Sequence, residues 1–214
     1  MTEPQSPLPI RILRGALRPL GLETAGRALW HRIQGRRLPE HMWRSESSKC
    51  RSRLGPWCTG YGLDLGFGGD PIVPHAIGMD MPVPYSDIGA MPVQLGGDAA
   101  HLIWFRDGVL DFVFSSHLLE DFVDTDLVLK EWLRVLRPGG RLIIFCPDEQ
   151  VYRRHCTATG QPYNQNHKHA DFSLAFVKAS LSRVGVPIRV MHESRLIDIY
   201  SWELVVEKLP AVHD

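Results

Sequence analysis

From residue 61 onward the chain alternates short apolar runs with polar, glycine-rich breaks. Gly62–Leu65 reads as a buried strand ending at Gly66, and Ala76–Met79 as a second ending on Asp80. Pro92–Leu95 is a weaker third, closed by Gly96, Gly97 and Asp98, and Asp111–Ser115 (D-F-V-F-S) is a clear fourth. Val128, Leu129, Trp132, Leu133 and Leu136 then recur on one face of a helix. Thr125 is placed to cap that helix, and Pro138, Gly139 and Gly140 to end it. Arg141–Cys146 (R-L-I-I-F-C) is the most strand-like segment of the chain; a helix follows over 172–184, and two last strands fall near 188–193 and 199–207. Strand–crossover–strand order gives a parallel sheet with both faces covered. The pattern therefore predicts an α/β fold, a doubly wound and mostly parallel sheet ending in an antiparallel hairpin. Such sheets bind ligands at the carboxyl ends of their strands.

The N-terminal region is different in kind. Ile10, Leu13 and Leu17 recur at helical spacing with Arg11, Arg14 and Arg18 beside them, and a second helical stretch over 22–36 offers Leu22, Ala25, Leu29, Trp30 and Ile33. The first sixty residues hold eleven Lys/Arg against four Asp/Glu, and the rest hold thirteen against twenty, so a formal net charge of zero conceals a basic arm on an acidic body. The reading is a basic helical extension over 1–53 and a second domain over 54–214. The arm's arginines are either the solvated side of helices packed on the body or a surface for anionic partners, lipid headgroups or a phosphate-bearing acceptor. No apolar run approaches a membrane-spanning helix, and no stretch is laid out as a secretory signal. The four cysteines form no C-x-x-C pair, so neither a zinc ribbon nor a disulfide framework is indicated, and a reducing cytoplasm is the expected location.

The strand ends carry the chemistry. The first ends in Asp64 and a glycine turn, the second in Asp80, the third in Asp98, and the fourth in Ser115, Ser116 and His117. Burying these together costs several kcal/mol unless partners satisfy them. A nucleoside supplies such partners in its hydroxyls, its exocyclic amine and a cationic group. The ordered set of L-D-L-G-F-G (Leu63–Gly68), Asp80, Asp98, D-F-V-F-S-S-H-L-L-E (Asp111–Glu120) and V-L-R-P-G-G-R-L (Val135–Leu142) resembles the class I S-adenosylmethionine-dependent methyltransferases. It is most similar to the small bacterial members linked to glycan or natural-product synthesis, and the similarity covers residues 54–148 and the C-terminal hairpin. The resemblance implies a Rossmann-like fold with S-adenosyl-L-methionine as cofactor. It places Asp64, Gly66, Phe67 and Gly68 along the methionine part, with Asp64 near the amino group. Asp80 would hold the ribose hydroxyls, Met81 would lie beside the adenine, Asp98 would accept from its amine, and Ala99 would lie along that ring. Ser115 and Ser116 would pass close to the sulfonium, with His117 at the mouth of the acceptor pocket.

The chain also departs from that pattern. Four of the residues between Gly66 and Ile77 are Gly68, Gly69, Pro71 and Pro74, so the usual long first helix gives way to a shortened loop. Ile103 and Trp104 replace the family's proline and phenylalanine, and Asp121 replaces the last histidine of S-S-H-x-L-E-H. A nicotinamide dinucleotide would need a third glycine where Pro71 stands. A nucleoside-binding module without chemistry is the non-enzymatic alternative.

Methyl transfer requires alignment, a dry site and, for a hydroxyl acceptor, removal of a proton. The acceptor-side loop 147–171 and the fourth strand end supply the candidates. His117 and His167 come first, His169 next, with Tyr152 orienting the substrate. The spacing of His155, Cys156, His167 and His169 matches no standard metal site, so no metal is expected. Where nucleic-acid amino methyltransferases carry N/D-P-P-F/Y/W, this chain reads S-S-H-L (Ser115–Leu118). That argues against a nucleic-acid acceptor and for O-methylation of a small molecule or glycan, with a carboxylate, a phosphonate or a small amine as alternative acceptors.

Overall fold

The computed structural model describes residues 45–82 and 91–211. The helical repeats expected before residue 37, and any contact made by the basic arm there, lie outside the described residues. In chain order the elements are α1 (Glu46–Leu54), β1 (Gly62–Leu65), β2 (Ile77–Asp80), β3 (Leu95–Gly96), β4 (Leu110–Ser116), α2 (Thr125–Val135), β5 (Leu136–Pro147), α3 (Glu149–Thr159), α4 (Leu174–Val184), β6 (Ile188–Ile197) and β7 (Ser201–Lys208). The seven strands form one sheet in the order β3-β2-β1-β4-β5-β7-β6. The pairs β2–β3, β1–β2, β1–β4 and β4–β5 are parallel, whereas β5–β7 and β6–β7 are antiparallel. The α/β sheet read from the sequence, with its closing hairpin, is the sheet observed.

Side chains alternate across the pleat and sort themselves onto two covered faces. Leu63, Leu65, Val113, Leu142, Ile144, Leu204 and Val206 share one core with Val128, Leu129, Trp132 and Leu133 of α2 and with Val177 and Leu181 of α4. Phe112, Phe114, Ile143, Phe145 and Val205 share the other with Cys50 and Leu54 of α1 and with Ile72 and Ala76 of the loop after β1. That loop is a chain of turns with no helix, as its prolines and glycines dictate. α1 thus packs on this body through two fully buried side chains, Cys50 and Leu54.

Three local readings need correction. The cap of α2 is Asp124, whose side chain accepts from Leu127 N, and Thr125 is the first helical residue. Pro138–Gly140 end no helix: α2 stops at Val135, and these residues lie within β5, where the register against β4 shifts between Leu110 and Phe112. The segment 147–171 is not all loop. Asp148 caps α3 by accepting from Val151 N, and Gly160 closes it in the left-handed conformation at φ 68°.

Candidate functional site

The strand order reverses between β1 and β4, where a doubly wound sheet opens a crevice. Two cavities meet there, of about 250 and 620 Å³, and Gly66, Asp80 and Leu118 line both. The larger continues past Met81, Asp98 and Ala99. The smaller continues past Phe67, Gly68, Ser116, His117, Glu120, Tyr152, His167 and Tyr200, and reaches the first turn of α1 at Ser45 and Glu46.

Backbone shapes the junction. Gly66 and Gly68 take φ values of 69° and 56°, and a Cβ on Gly66 would stand 3.0 Å from Leu118 Cδ2. Between them, the bare backbone lets Asp80 be fixed: its carboxylate accepts from Gly68 N at 3.1 Å and from Met81 N at 2.8 Å. The loop after β3 is held from below by α2. Trp132 Nε1 donates to Ala99 O, Leu102 N donates to Glu131, and Arg134 donates to the carbonyls of Leu102 and Phe105. Asp98 accepts from Ala100 N and pairs with His101 at 2.9 Å. Substituting Gly66→Ala forces a left-handed alanine against Leu118. It is expected to lower stability by about 1–2 kcal/mol in urea unfolding and to weaken nucleoside binding; wild-type values for both would mean that the turn relaxes freely.

Two expected ligands face elsewhere. Asp64 and Ser115 line neither cavity. Ser115 is buried, with its hydroxyl 3.4 Å from Leu65 O. Asp64 lies under the loop after β1, accepting from Ile72 N at 2.6 Å, while its Oδ1 is buried with no hydrogen-bond partner. Its carboxyl thus pins the shortened loop from inside. Burial pushes Asp64 up to about 8, against the opposing hydrogen bond from Ile72 N and the pull of Arg51. The unfolded chain releases this proton near pH 4 and the folded one near 8, so in that window the folded state binds more protons. Stability attributable to Asp64 therefore falls as pH rises, by up to about 1.4 kcal/mol per unit. Asp64→Asn keeps an acceptor for Ile72 N and is expected to flatten the decline measured by urea unfolding between about pH 5 and 7.5. Equal slopes in parent and variant would show that Asp64 is ionised in the fold.

The smaller cleft is a ring of acids, histidines and phenols. β4 ends at Ser116, and the chain turns sharply at His117, a non-glycine residue at φ 48°, secured by its N–H to Phe145 O at 2.8 Å. Strain of this kind, on the order of 1 kcal/mol, is held in place by surrounding structure. His117 Nε2 stands 3.3 Å from both Ser201 Oγ and Glu46 Oε2, and its Nδ1 3.7 Å from Glu120 Oε1. The same Glu120 oxygen is 3.8 Å from His167 Nε2, and both carboxylate oxygens of Glu120 are buried without a hydrogen-bond partner. His167 Nδ1 meets Glu149 Oε2 at 2.5 Å. Burial drives Glu120 up to about 8 and His117 down to about 4. Tyr152 packs its ring 5.1 Å from both His167 and Tyr200 and accepts from Asn164 N.

Of the expected histidines, the structure brings together His117 and His167 and sets His169 apart. His169 Nε2 donates to Phe122 O at 3.0 Å, lies 3.3 Å from Thr125 Oγ1, and lines neither cleft. Four residues of this ring went unassigned from sequence. Glu120 stood in the S-S-H-L-L-E run and Glu149 followed the fifth strand, each a visible acid next to a candidate. Glu46 lay within the basic arm and Tyr200 within a strand, with no local signal.

A methyltransferase-domain family model matches residues 84–144. Solved S-adenosylmethionine-dependent methyltransferases share the fold. The one from Aquifex aeolicus superposes with a TM-score of 0.54 at 15% identity, covering 80% of this chain and 94% of that one. The one from Archaeoglobus fulgidus gives 0.54 at 16% identity, covering 79% and 97%. The described residues share the fold of these methyltransferases, and the family match lies on the part of the sheet that carries β4 and the start of β5. S-Adenosylmethionine is the cofactor of such methyltransferases, and the site suits it: the acids Glu46 and Asp80 complement a cationic sulfonium and ammonium, with no Lys or Arg among the described residues lining the smaller cleft. Demethylmenaquinone methyltransferases also match part of this chain. That of Mycolicibacterium paratuberculosis is 34% identical over 93 residues, 44% of this chain and 33% of its own length. That of Mycolicibacterium vanbaalenii is 47% identical over 51 residues, 24% and 22% respectively. The matched stretches thus span a third or less of those relatives. Among the described residues no group of side chains is arranged to hold a metal ion, and no helix is long and apolar enough to cross a membrane.

Proposed function

We propose that the protein transfers a methyl group from S-adenosylmethionine to a small molecule bearing an ionisable hydroxyl, with the smaller cleft as the acceptor site. One observation carries the reading. Two cavities share Gly66, Asp80 and Leu118 at the switch point of the sheet, one lined for a nucleoside and the other by His117, Glu120, Tyr152 and His167. Asp80 would hold the ribose, with Met81, Asp98 and Ala99 around the adenine and the Gly66–Gly68 turn and Ser116 along the methionine part. The cofactor supplies a methyl group already activated on a sulfonium. What remains for the chain is to orient the acceptor, exclude water and take up a proton. Tyr152 and Tyr200 offer ring faces and hydroxyls for orientation, and the buried histidines offer the base.

The lining also bears on the acceptor's charge. With Glu46, Asp80 and Glu120 present, and no Lys or Arg among the described residues lining it, the described lining gives a carboxylate or phosphonate no counter-charge. A neutral hydroxylated acceptor, a glycan among them, or a cationic amine fits better. The similarity to demethylmenaquinone methyltransferases favours a second reading within the same chemistry, methylation at a ring carbon of a reduced quinone. Such a carbon becomes nucleophilic when the neighbouring hydroxyl is deprotonated, so it calls on the same base. Incubation with methyl-labelled cofactor and panels of glycans, phenols, hydroquinones, amines and carboxylic acids tests the proposal. Label is expected in a hydroxylated class, at oxygen or at carbon, and label confined to carboxylates would contradict it.

A further inference from the structure

Two histidines face Glu120, but their other ring nitrogens are held in different ways. His167 Nδ1 lies 2.5 Å from Glu149 Oε2, and the opposite oxygen of that carboxylate, Oε1, accepts from Arg153 Nε at 2.5 Å. A carboxylate gripped by a guanidinium on one side can only accept on the other, so the hydrogen of neutral His167 resides on Nδ1. Its Nε2 then presents a lone pair toward the cleft, where Glu120 Oε1 stands 3.8 Å away. The side chains of Glu149 and His167 are almost wholly buried, and Tyr152 packs against the imidazole, so ring orientation and tautomer are fixed together.

His117 lacks such an arrangement. Its nearest carboxylate oxygens are 3.3 and 3.7 Å away and its other partner is a hydroxyl, Ser201, at 3.3 Å. The desolvation that pushes His117 down to about 4 leaves it a weak proton acceptor at neutral pH.

We infer that the Arg153–Glu149–His167 array, buried at Glu149 and His167, makes His167 the general base of the acceptor cleft, with Glu149 a positioning residue and His117 lining the cleft without taking the proton. The inference rests on the methyl-transfer reading. In the step, the acceptor's O–H bond breaks as an N–H bond forms at His167 Nε2. The electron pair left on oxygen, or relayed from it to a ring carbon, makes the new bond to the methyl group. The methyl–sulfur pair stays with sulfur, and Glu149 balances the charge of the imidazolium. The four-residue step from Glu149 to Arg153 along α3 and the position of Glu149 one residue past the cap bring this array to the strand end.

Long-range ¹H–¹⁵N spectra of histidine-labelled full-length protein test this without an acceptor. His167, assigned through His167→Gln, is expected as the Nδ1–H tautomer, its Nε2 unprotonated. In Glu149→Gln, Arg153 keeps the amide oxygen on its side, so the amide NH₂ faces Nδ1 and His167 should switch to the Nε2–H tautomer. An Nε2–H tautomer in the parent protein would overturn the inference, and the parent spectrum alone decides this if the variant does not fold. An unchanged His167 tautomer in folded Glu149→Gln would also overturn it. Calorimetry with S-adenosylhomocysteine on the same samples separates the two layers: no binding heat beside the expected tautomers would defeat the methyl-transfer reading and leave the array standing.

Discussion

His167→Ala is expected to lower turnover about 10²–10⁴-fold on any hydroxyl acceptor the protein methylates, with cofactor affinity unchanged. The size follows from the task. Without a base, the proton must leave a neutral hydroxyl for bulk water across a buried cleft. The three histidines named from the sequence should then separate. His117→Ala opens space beside Phe145 and Tyr200, whose rings lie 5.2 and 6.2 Å from it, and should raise the acceptor's KM more than it lowers kcat. His169→Ala removes a donor to Phe122 O and should lower stability while turnover per folded molecule holds. Equal kcat losses in the His117 and His167 variants would mean that the two share the proton. Parent turnover in all three would mean an acceptor that arrives ionised.

Asp80→Ala should weaken binding of S-adenosylmethionine and of its demethylated product alike, by about 2–3 kcal/mol or 30- to 150-fold. The carboxylate ends β2 at the junction of both cavities, and its two backbone donors, Gly68 N and Met81 N, set it in place before any ligand arrives. On the proposed reading, alanine would leave the ribose hydroxyls without their acceptor and free the glycine turn as well. Because Asp80 is only half-buried at a strand end, the melting temperature should move little. A lowered melting temperature with an unchanged dissociation constant would show that the carboxylate serves the turn alone.

The strands were legible because β1, β4 and much of β5 are buried on both faces and read as continuous apolar runs between turn residues. That same double burial hid the direction of Asp64. In a strand covered on both sides, alternation does not say whether a polar side chain looks toward a ligand or under a loop. Helix α3 escaped notice for a related reason. Its caps, Asp148 and Gly160, are visible in the sequence, but its buried side includes Glu149 with Cys156, so no apolar stripe marks it. The acceptor cleft was half legible. His117, Tyr152 and His167 stood in segments already tied to strand ends, whereas Glu46 and Tyr200 reach the cleft only because α1 and the β6–β7 turn fold back over it. No local pattern encodes a long-range approach of that kind.

The central claim is that the paired cavities form one S-adenosylmethionine site with an acceptor chamber attached. Isothermal titration of the folded protein with S-adenosylmethionine, S-adenosylhomocysteine and NAD tests it most directly. The account predicts one site for both sulfur nucleosides, mutually competitive, weakened together by Asp80→Ala, and no heat with NAD. No heat from either sulfur nucleoside in a folded sample, or binding indifferent to Asp80, would contradict it.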